Sequence, residues 1–234
     1  MKHKGQKIQS FICHFYLIIL TIIAIFPLVW IILSSIKGKG ELTGNPTGFL
    51  PKTFTLEYFR HVIFDLGFIN NIKNSAGIAL VTTLIAIIVA ALAAYGIVRF
   101  FPKFGSVMSK VLVTTYIFPP ILLAIPYSIV MAKAGLVNTR IGLIIVYLSF
   151  SIPYAVWLLV GFFKSVPIGI EEAARIDGAT RSRIFFTMIC PLAKPMIIYT
   201  ALTAFMAPWN DYIFASYVAF GKSSKYNVAV GLFQ

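Results

Sequence analysis

The chain has 234 residues, of which 59% are hydrophobic and only 12% are charged, and its mean hydropathy is +0.89. Soluble domains average about half apolar and about a quarter charged residues, so this composition excludes an ordinary soluble protein and indicates an integral membrane protein. The net charge of +13 comes largely from Lys and Arg that flank apolar runs, a pattern that sets membrane orientation and argues against nucleic-acid binding.

The first apolar run covers residues 12–36 and follows a basic amino terminus at residues 1–11. It is too long for the apolar part of a secretory signal, and no Ala-x-Ala-like cleavage site follows it. The run therefore predicts a retained spanning helix, with a kink at Pro27.

A polar loop over residues 37–70 comes next and contains one short apolar pattern at helical spacing. Thr55 can cap this helix, and Glu57 suits its first turn. Two interpretations stay open, an amphipathic helix at the outer membrane interface and an ordinary packed loop helix. The apolar positions are Leu56, Phe59, Ile63 and Leu66.

Four more apolar runs are long enough to span a membrane. Small residues at 90–96, in the second run, permit close helix packing in lipid. Pro119 and Pro120 break backbone bonding within the third run, which is tolerated only beside protein or a water-filled cavity. The four runs are residues 72–98, 107–131, 141–163 and 191–218.

The distribution of basic residues predicts the orientation. Lys and Arg are concentrated at the amino terminus and after the second and fourth spans, which places these segments in the cytoplasm. The two cysteines, Cys13 and Cys190, lie near this side without partners at metal-ligand spacing, so neither a disulfide nor a metal site is predicted.

The segment at residues 165–190 separates the fourth and fifth spans and reads as a helical hairpin. Ser165 can cap a first helix that runs to about Asp177. Gly178 can take the left-handed conformation that ends a helix, and Thr180 can cap a second helix.

The surface of this hairpin suggests two roles. Glu171 and Arg175 are spaced as a favourable i, i+4 pair, and Ala173 with Ala174 makes a smooth patch flanked by Glu171 and Glu172. Such a patch suits a protein partner. The alternative is an amphipathic hairpin on the membrane surface, supported in the second helix by Ile184, Phe185, Phe186 and Met188.

Residues 171–191 resemble the EAA loop of ABC-importer permeases, whose pattern is Glu-Ala-Ala, three residues, Gly, nine residues, Ile, one residue, Leu-Pro. Met188 and Cys190 depart from the Ile and Leu of that pattern but remain apolar. The longer form Glu-Glu-Ala-Ala-x-Ile-Asp-Gly-Ala is similar to the carbohydrate branch, in particular the smaller maltose-type subunit. The matches are Glu172, Ala173, Ala174, Gly178 and Pro191, and beyond the loop Asn74-Ser75, residues 93–96 with Arg99, residues 135–139 and Trp209-Asn210.

The resemblance implies an all-α, polytopic membrane protein with the type I ABC-importer permease fold. Members of the family have six spans, so the five present here imply a chain truncated before the sixth. A core domain at residues 71–234 would contain the EAA coupling loop, and an outer loop from about Lys222 would face a solute-binding protein. The implied location is the cell membrane of a prokaryote, with the amino terminus in the cytoplasm.

The implied function is that of a transport subunit which forms half of the path for a sugar or oligosaccharide. Its partners would be a homologous second permease, two cytoplasmic ATPase subunits, an extracytoplasmic solute-binding protein and membrane lipid, but no nucleic acid. The chain would be no enzyme and hold no cofactor. ATP and Mg would bind to the partner ATPases, and the sequence contains no Gly-x-x-x-x-Gly-Lys-Ser/Thr.

The resemblance also assigns roles within the loop. The EAA helix would insert into a cleft of the ATPase and move as a lever, with Glu172 as the contact, the alanines allowing it to seat and Gly178 allowing the turn. The implied coupling residues are Glu171, Glu172, Ala173, Ala174, Asp177 and Gly178.

Candidates for the translocation path come from the residues themselves. Asp211 is the one acidic residue placed in any predicted span, and an ionisable group in a membrane suggests function. Asn210 could bond to hydroxyl groups, and Trp209 could stack on a sugar. Alternatively, Asp211 and Trp209 lie at the outer interface. Tyr116 and Tyr154 are weaker candidates.

Other functions are less well supported. The solute could be a small molecule other than a sugar. A membrane-embedded enzyme would need a catalytic set, whereas Asp211 has no second carboxylate or His beside it in the predicted spans. A proton-coupled secondary transporter would call for an ionisable relay and often inverted repeats.

Overall fold

The structure is a computed structural model that describes residues 2–45, 47–219 and 227–233, with the backbone alone at residues 2–8, 104 and 106. The chain divides into two compact units, Met1–Leu66 and Gly67–Gln234. Among these residues, three helices are long and apolar enough to cross a membrane, or up to five if each of two bent pairs is one span. The predicted polytopic helical fold is confirmed. The predicted outer loop at Lys222 lies outside the described residues.

The first unit begins with α1, Lys2–Ser35, whose stretch Gln9–Ser35 is long enough to span a membrane. The helix continues through Pro27. Two one-turn helices follow, α2 at Glu41–Gly44 and α3 at Glu57–Arg60.

The polar loop of this unit is organised by the carboxylate of Glu41. It accepts the backbone N–H of Lys52 at 2.6 Å and those of Gly38 and Thr53 at 3.3 Å. These bonds favour the ionised form, so the pKa of Glu41 is lowered, most of all by the bond from Lys52.

The helix predicted between Thr55 and Leu66 is shorter than expected. Thr55 Oγ1 accepts the N–H of Glu57 at 3.1 Å, so the predicted capping group is in use. After the single α-helical turn of α3, however, the chain forms a π-helical turn at His61–Asp65. The widened turn changes the residue spacing, so the predicted regular apolar stripe is interrupted.

The second unit is a bundle of ten helices in the part of the chain that the structure describes. A π-helical turn, Phe185–Ile189, lies between α9 and α10. The helices are α4 Phe68–Arg99, α5 Pro102–Ile117, α6 Pro120–Lys133, α7 Arg140–Ser165, α8 Ile168–Ile176, α9 Arg181–Ile184, α10 Cys190–Leu192, α11 Lys194–Asn210, α12 Ile213–Val218 and α13 Val228–Gly231.

Helix α4 is central to this bundle and packs against both α7 and α11. Four of its alanines are completely buried, and their spacing of seven, four and four residues keeps them on one face. Small side chains let helix backbones approach closely in lipid, as predicted for residues 90–96. The four are Ala79, Ala86, Ala90 and Ala94.

Two of the predicted spans are bent. Helices α5 and α6 meet at 91° within the span predicted at residues 107–131, at the proline pair predicted to break its backbone bonding. Phe118 and Pro119 have extended backbones because a residue before proline avoids the helical conformation. The span predicted at residues 191–218 is also interrupted, since α11 ends at Asn210 and lies at 77° to the helical segment Arg181–Leu192.

The turn between α6 and α7 is formed by residues 135–139, one of the segments that resemble the permease family. Gly135 and Asn138 both have positive φ, of 69° and 59°. Thr139 then caps α7 by accepting the N–H of Gly142 at 3.0 Å. The N–H of Asn138 donates to the carbonyl of Val218 at 2.8 Å, which ties this turn to the end of α12.

Candidate functional site

The segment between α7 and α11 folds as the predicted hairpin of two helical arms. Gly178 has a φ of +80°, which confirms the left-handed turn after α8. Thr180 accepts the N–H of Arg183 at 3.3 Å and so caps α9 as predicted. The predicted Ser165 cap is wrong, because α7 continues to that residue and its hydroxyl donates to the carbonyl of Phe162.

Glu171 lies on the inner side of α8 and is buried. Its carboxylate accepts the hydroxyl of Tyr95 at 2.8 Å and Nε of Arg99 at 2.5 Å, both on α4. Arg99 also donates from Nη2 to the carbonyl of Val166 at 3.0 Å. The predicted pair with Arg175 is therefore replaced by a tertiary ion pair, because the inward side of α8 faces α4.

The two alanines of the loop point in different directions. Ala174 is 4% exposed and belongs to the apolar core with Ile184 and Phe185, whereas Ala173 is exposed. The predicted smooth patch of two alanines is therefore wrong, because only Ala173 lies on the exposed surface of α8.

The outer side of α8 carries a feature that the sequence interpretation missed. Ile176 is 86% exposed at the end of the helix, next to the turn at Gly178. Glu172, Ala173 and Asp177 are also exposed there. This isoleucine could have been noticed from the sequence, because it lies directly between the charged residues Arg175 and Asp177.

A cleft of about 100 Å³ lies between α8 and the end of α4. It is rich in guanidinium groups, and one of them, that of Arg181, lies 4.8 Å from the ring centroid of Phe100. The charged residues at its rim are Arg99, Glu171, Glu172, Arg175 and Arg181. The cleft is therefore lined by three guanidinium groups and two carboxylates, and the Arg99 and Glu171 pair is the part of it that is buried.

Asp211 directly follows the last residue of α11, and both its carboxylate and its backbone carbonyl accept hydrogen bonds from other parts of the chain. Its carboxylate accepts the hydroxyl of Tyr147 at 2.8 Å and the N–H of Ala215 at 3.0 Å. The carbonyl of Asp211 accepts Nδ2 of Asn227 at 2.5 Å. This arrangement joins α7, α12 and the start of α13.

The other path candidates form two aromatic clusters. Tyr116 of α5 and Tyr154 of α7 are stacked with their centroids 4.5 Å apart, and Trp157 lies 6.1 Å from Tyr154. Trp209 stacks separately on Phe205 at 5.6 Å, with Asn210 exposed beside it. The weaker tyrosine candidates are thus brought together across two helices, which the sequence did not predict.

Residues 82–224, more than half of the chain and including the whole hairpin, match the family described as the binding-protein-dependent transport system inner membrane component. The chain belongs to this family. It is a multi-pass membrane permease, and the matched residues include the hairpin that resembles the EAA loop.

Individual relatives agree with this assignment. The permease is 35% identical to the trehalose transport system permease protein SugB of Mycobacterium tuberculosis, over 82% of this chain and 69% of the relative. It is 34% identical to the trehalose/maltose transport system permease protein MalG of Thermococcus litoralis, over 85% of this chain and 71% of the relative.

The fold also matches a solved structure. A bacterial ABC transporter involved in the import of the acidic polysaccharide alginate aligns with a TM-score of 0.79, covering 98% of the permease and 79% of the compared chain. The sequence identity is 23%, so this likeness establishes the fold alone.

Proposed function

We propose that the permease is one of two transmembrane subunits of an ATP-driven importer for a sugar or oligosaccharide. Its family and the transport systems of its relatives, named for trehalose and for trehalose and maltose, support this proposal. A homologous permease would complete the path, a solute-binding protein would deliver the sugar, and two ATPases would bind ATP and Mg. Import of another small solute is the alternative.

The observation that carries the proposal is the exposed end of α8. Ile176 is 86% exposed beside Glu172 and Ala173, while Glu171 and Ala174 hold the same helix from inside. A large apolar side chain ringed by charged groups is typical of a protein interface. Glu172, Ala173, Ile176 and Asp177 would contact the ATPase, and Gly178 would provide the turn.

In the proposed orientation, both α8 and the amino terminus of the chain are cytoplasmic. The concentration of Lys and Arg at that terminus and around the hairpin supports the orientation.

The aromatic cluster of Tyr116, Tyr154 and Trp157 is the part of the path that this chain would contribute. Tyr154 is near the middle of α7, and Tyr116 is one residue from the end of α5, where the 91° bend leaves backbone carbonyls without helical partners. Such groups are unfavourable against lipid tails and suit a polar cavity. Interrupted helices often line substrate sites near the membrane centre. Trp209 and Asn210 would contact the sugar at a second place along the translocation path.

Charge and polarity changes on α8 test the coupling role. With the full importer, we expect Ile176→Asp and Glu172→Lys to weaken ATPase binding by at least about 30-fold, as for a central interface residue worth about 2 kcal/mol. Glu57→Lys, a reversal of another exposed charge in the first unit, is the matched control. ATPase binding and sugar uptake at wild-type levels in both α8 variants would contradict the proposal.

Ring removal tests the path. Tyr154→Ala is expected to reduce sugar uptake, whereas Tyr154→Phe keeps the stacking ring and should keep most uptake. Permease assembly and basal ATP hydrolysis serve as controls. Wild-type uptake by Tyr116→Ala and Tyr154→Ala would exclude this cluster from the path.

A further inference from the structure

Tyr95, Arg99 and Glu171 form a buried, charged hydrogen-bond network between α4 and α8. Contact between α8 and an ATPase does not by itself require this network. The side chains of Arg99 and Glu171 are 10% and 9% exposed, respectively, and their ion pair joins residues 72 positions apart in the chain. Tyr95, one helical turn before Arg99, adds its hydroxyl to the same carboxylate. The matching segment at residues 93–96 with Arg99 therefore has a structural purpose at the hairpin.

One guanidinium group holds three helices together. Arg99 is the last residue of α4, and its Nε donates to Glu171 on α8. Its Nη2 donates to the carbonyl of Val166, immediately after α7. A planar guanidinium can make both bonds at once in a fixed direction, which a lysine ammonium on a flexible stem does less well.

Stability alone is a weak explanation for this network. Removing a carboxylate and a guanidinium from water is costly, and well-packed apolar side chains often stabilise a protein as much as a buried ion pair. Paired and hydrogen-bonded charges do, however, fix the relative orientation of the elements that carry them, and a hairpin that must transmit motion needs a fixed orientation.

We propose that Tyr95, Arg99 and Glu171 form a latch that makes α8 and α4 move as one body. The three are positioning residues, and this role rests on the proposed function of α8 as the contact for an ATPase. Because α4 packs along α7, a displacement of α8 would reach the helix that carries Tyr154 and Trp157 of the aromatic cluster.

The first experiment measures the latch without any ATPase. Spin labels at Ile176 and Phe101, both exposed, report the distance between α8 and the segment after α4 in the purified permease. We expect one narrow distance distribution in the wild type, a broad one in Glu171→Gln and an intermediate one in Tyr95→Phe. A distribution as narrow as the wild type in Glu171→Gln would overturn the latch even if the proposed function is correct.

The second experiment measures transmission in the full importer. The double variant Arg99→Gln with Glu171→Gln removes both charges, so it leaves no unpaired buried charge that would disturb folding. We expect it to bind the ATPase and hydrolyse ATP while the ATP consumed per sugar imported rises at least about fivefold, the lower end of typical coupling between sites.

The outcomes separate the two proposals. Glu172→Lys should reduce ATPase binding, whereas the double variant should leave binding intact and lose coupling. An unchanged ratio of ATP consumed to sugar imported in the double variant would overturn the latch. Failure of Glu172→Lys to affect binding would instead count against the proposed function, and the spin-label distances would still decide the latch.

Discussion

Removal of the carboxylate of Asp211 should destabilise α12 by an amount that follows from its bonds. The carboxylate accepts N–H groups of Phe214 and Ala215, so it acts as the cap of α12, and its loss costs about 1 kcal/mol. The buried hydroxyl of Tyr147 also loses its acceptor, which costs about 1–3 kcal/mol more. For Asp211→Ala the expected total is about 2–4 kcal/mol.

Amide hydrogen exchange of the purified permease in detergent measures this effect directly. Since about 1.4 kcal/mol corresponds to a tenfold change in an equilibrium, protection of the amides in α12 should fall by about 30- to 700-fold in Asp211→Ala. Tyr147→Phe removes one hydrogen bond and leaves no buried donor unpaired, so a loss of about 1 kcal/mol is expected. Amides of α7 near residue 159, about three helical turns beyond Tyr147, serve as the internal control.

Asp211→Asn distinguishes a structural role from a role in the path. Asparagine can still cap a helix but offers only one carbonyl oxygen, so it cannot accept all the bonds of the carboxylate. We expect reduced protection of α12 together with reduced uptake. Wild-type protection of α12 combined with loss of sugar uptake would refute the reasoning and assign Asp211 to the path.

Three further predictions concern the loops. The bonds to Glu41 lower its folded pKa below the ordinary value of 4.5, so their stabilisation is complete above that value and is lost as the pH falls through the lowered pKa. Exchange protection of the Lys52 amide should follow this curve, and Glu41→Gln should abolish the dependence. Ala174→Leu should destabilise the hairpin by about 1–3 kcal/mol in thermal unfolding because the site is buried, whereas Ala173→Leu should have little effect. Gly178→Ala should cost about 1–2 kcal/mol in the same assay through its positive φ alone, since no atom lies near the added Cβ. A loss well below 0.5 kcal/mol would show that the turn changes conformation.

Local features of the hairpin were predictable because they depend on neighbours within a few residues. The left-handed turn at Gly178 and the cap at Thr180 follow from residue type alone. The cap predicted at Ser165 failed for a similar reason, since nothing local distinguishes the end of α7 from the start of α8. The boundary between α7 and α8 is set by the non-helical backbone conformation of Val166 and Pro167.

The sequence by itself determined that this protein is a multi-pass helical membrane permease with a hairpin at residues 165–190. Apolar length, flanking charges and turn residues carry that information, because they report transfer into lipid and local backbone preference. Only the tertiary structure decided that Glu171 pairs with Arg99, that Ala174 points inward and that Tyr116 meets Tyr154. Each of these depends on a helix far away in the chain, and the desolvation and packing that select a partner exist only once those helices have come together.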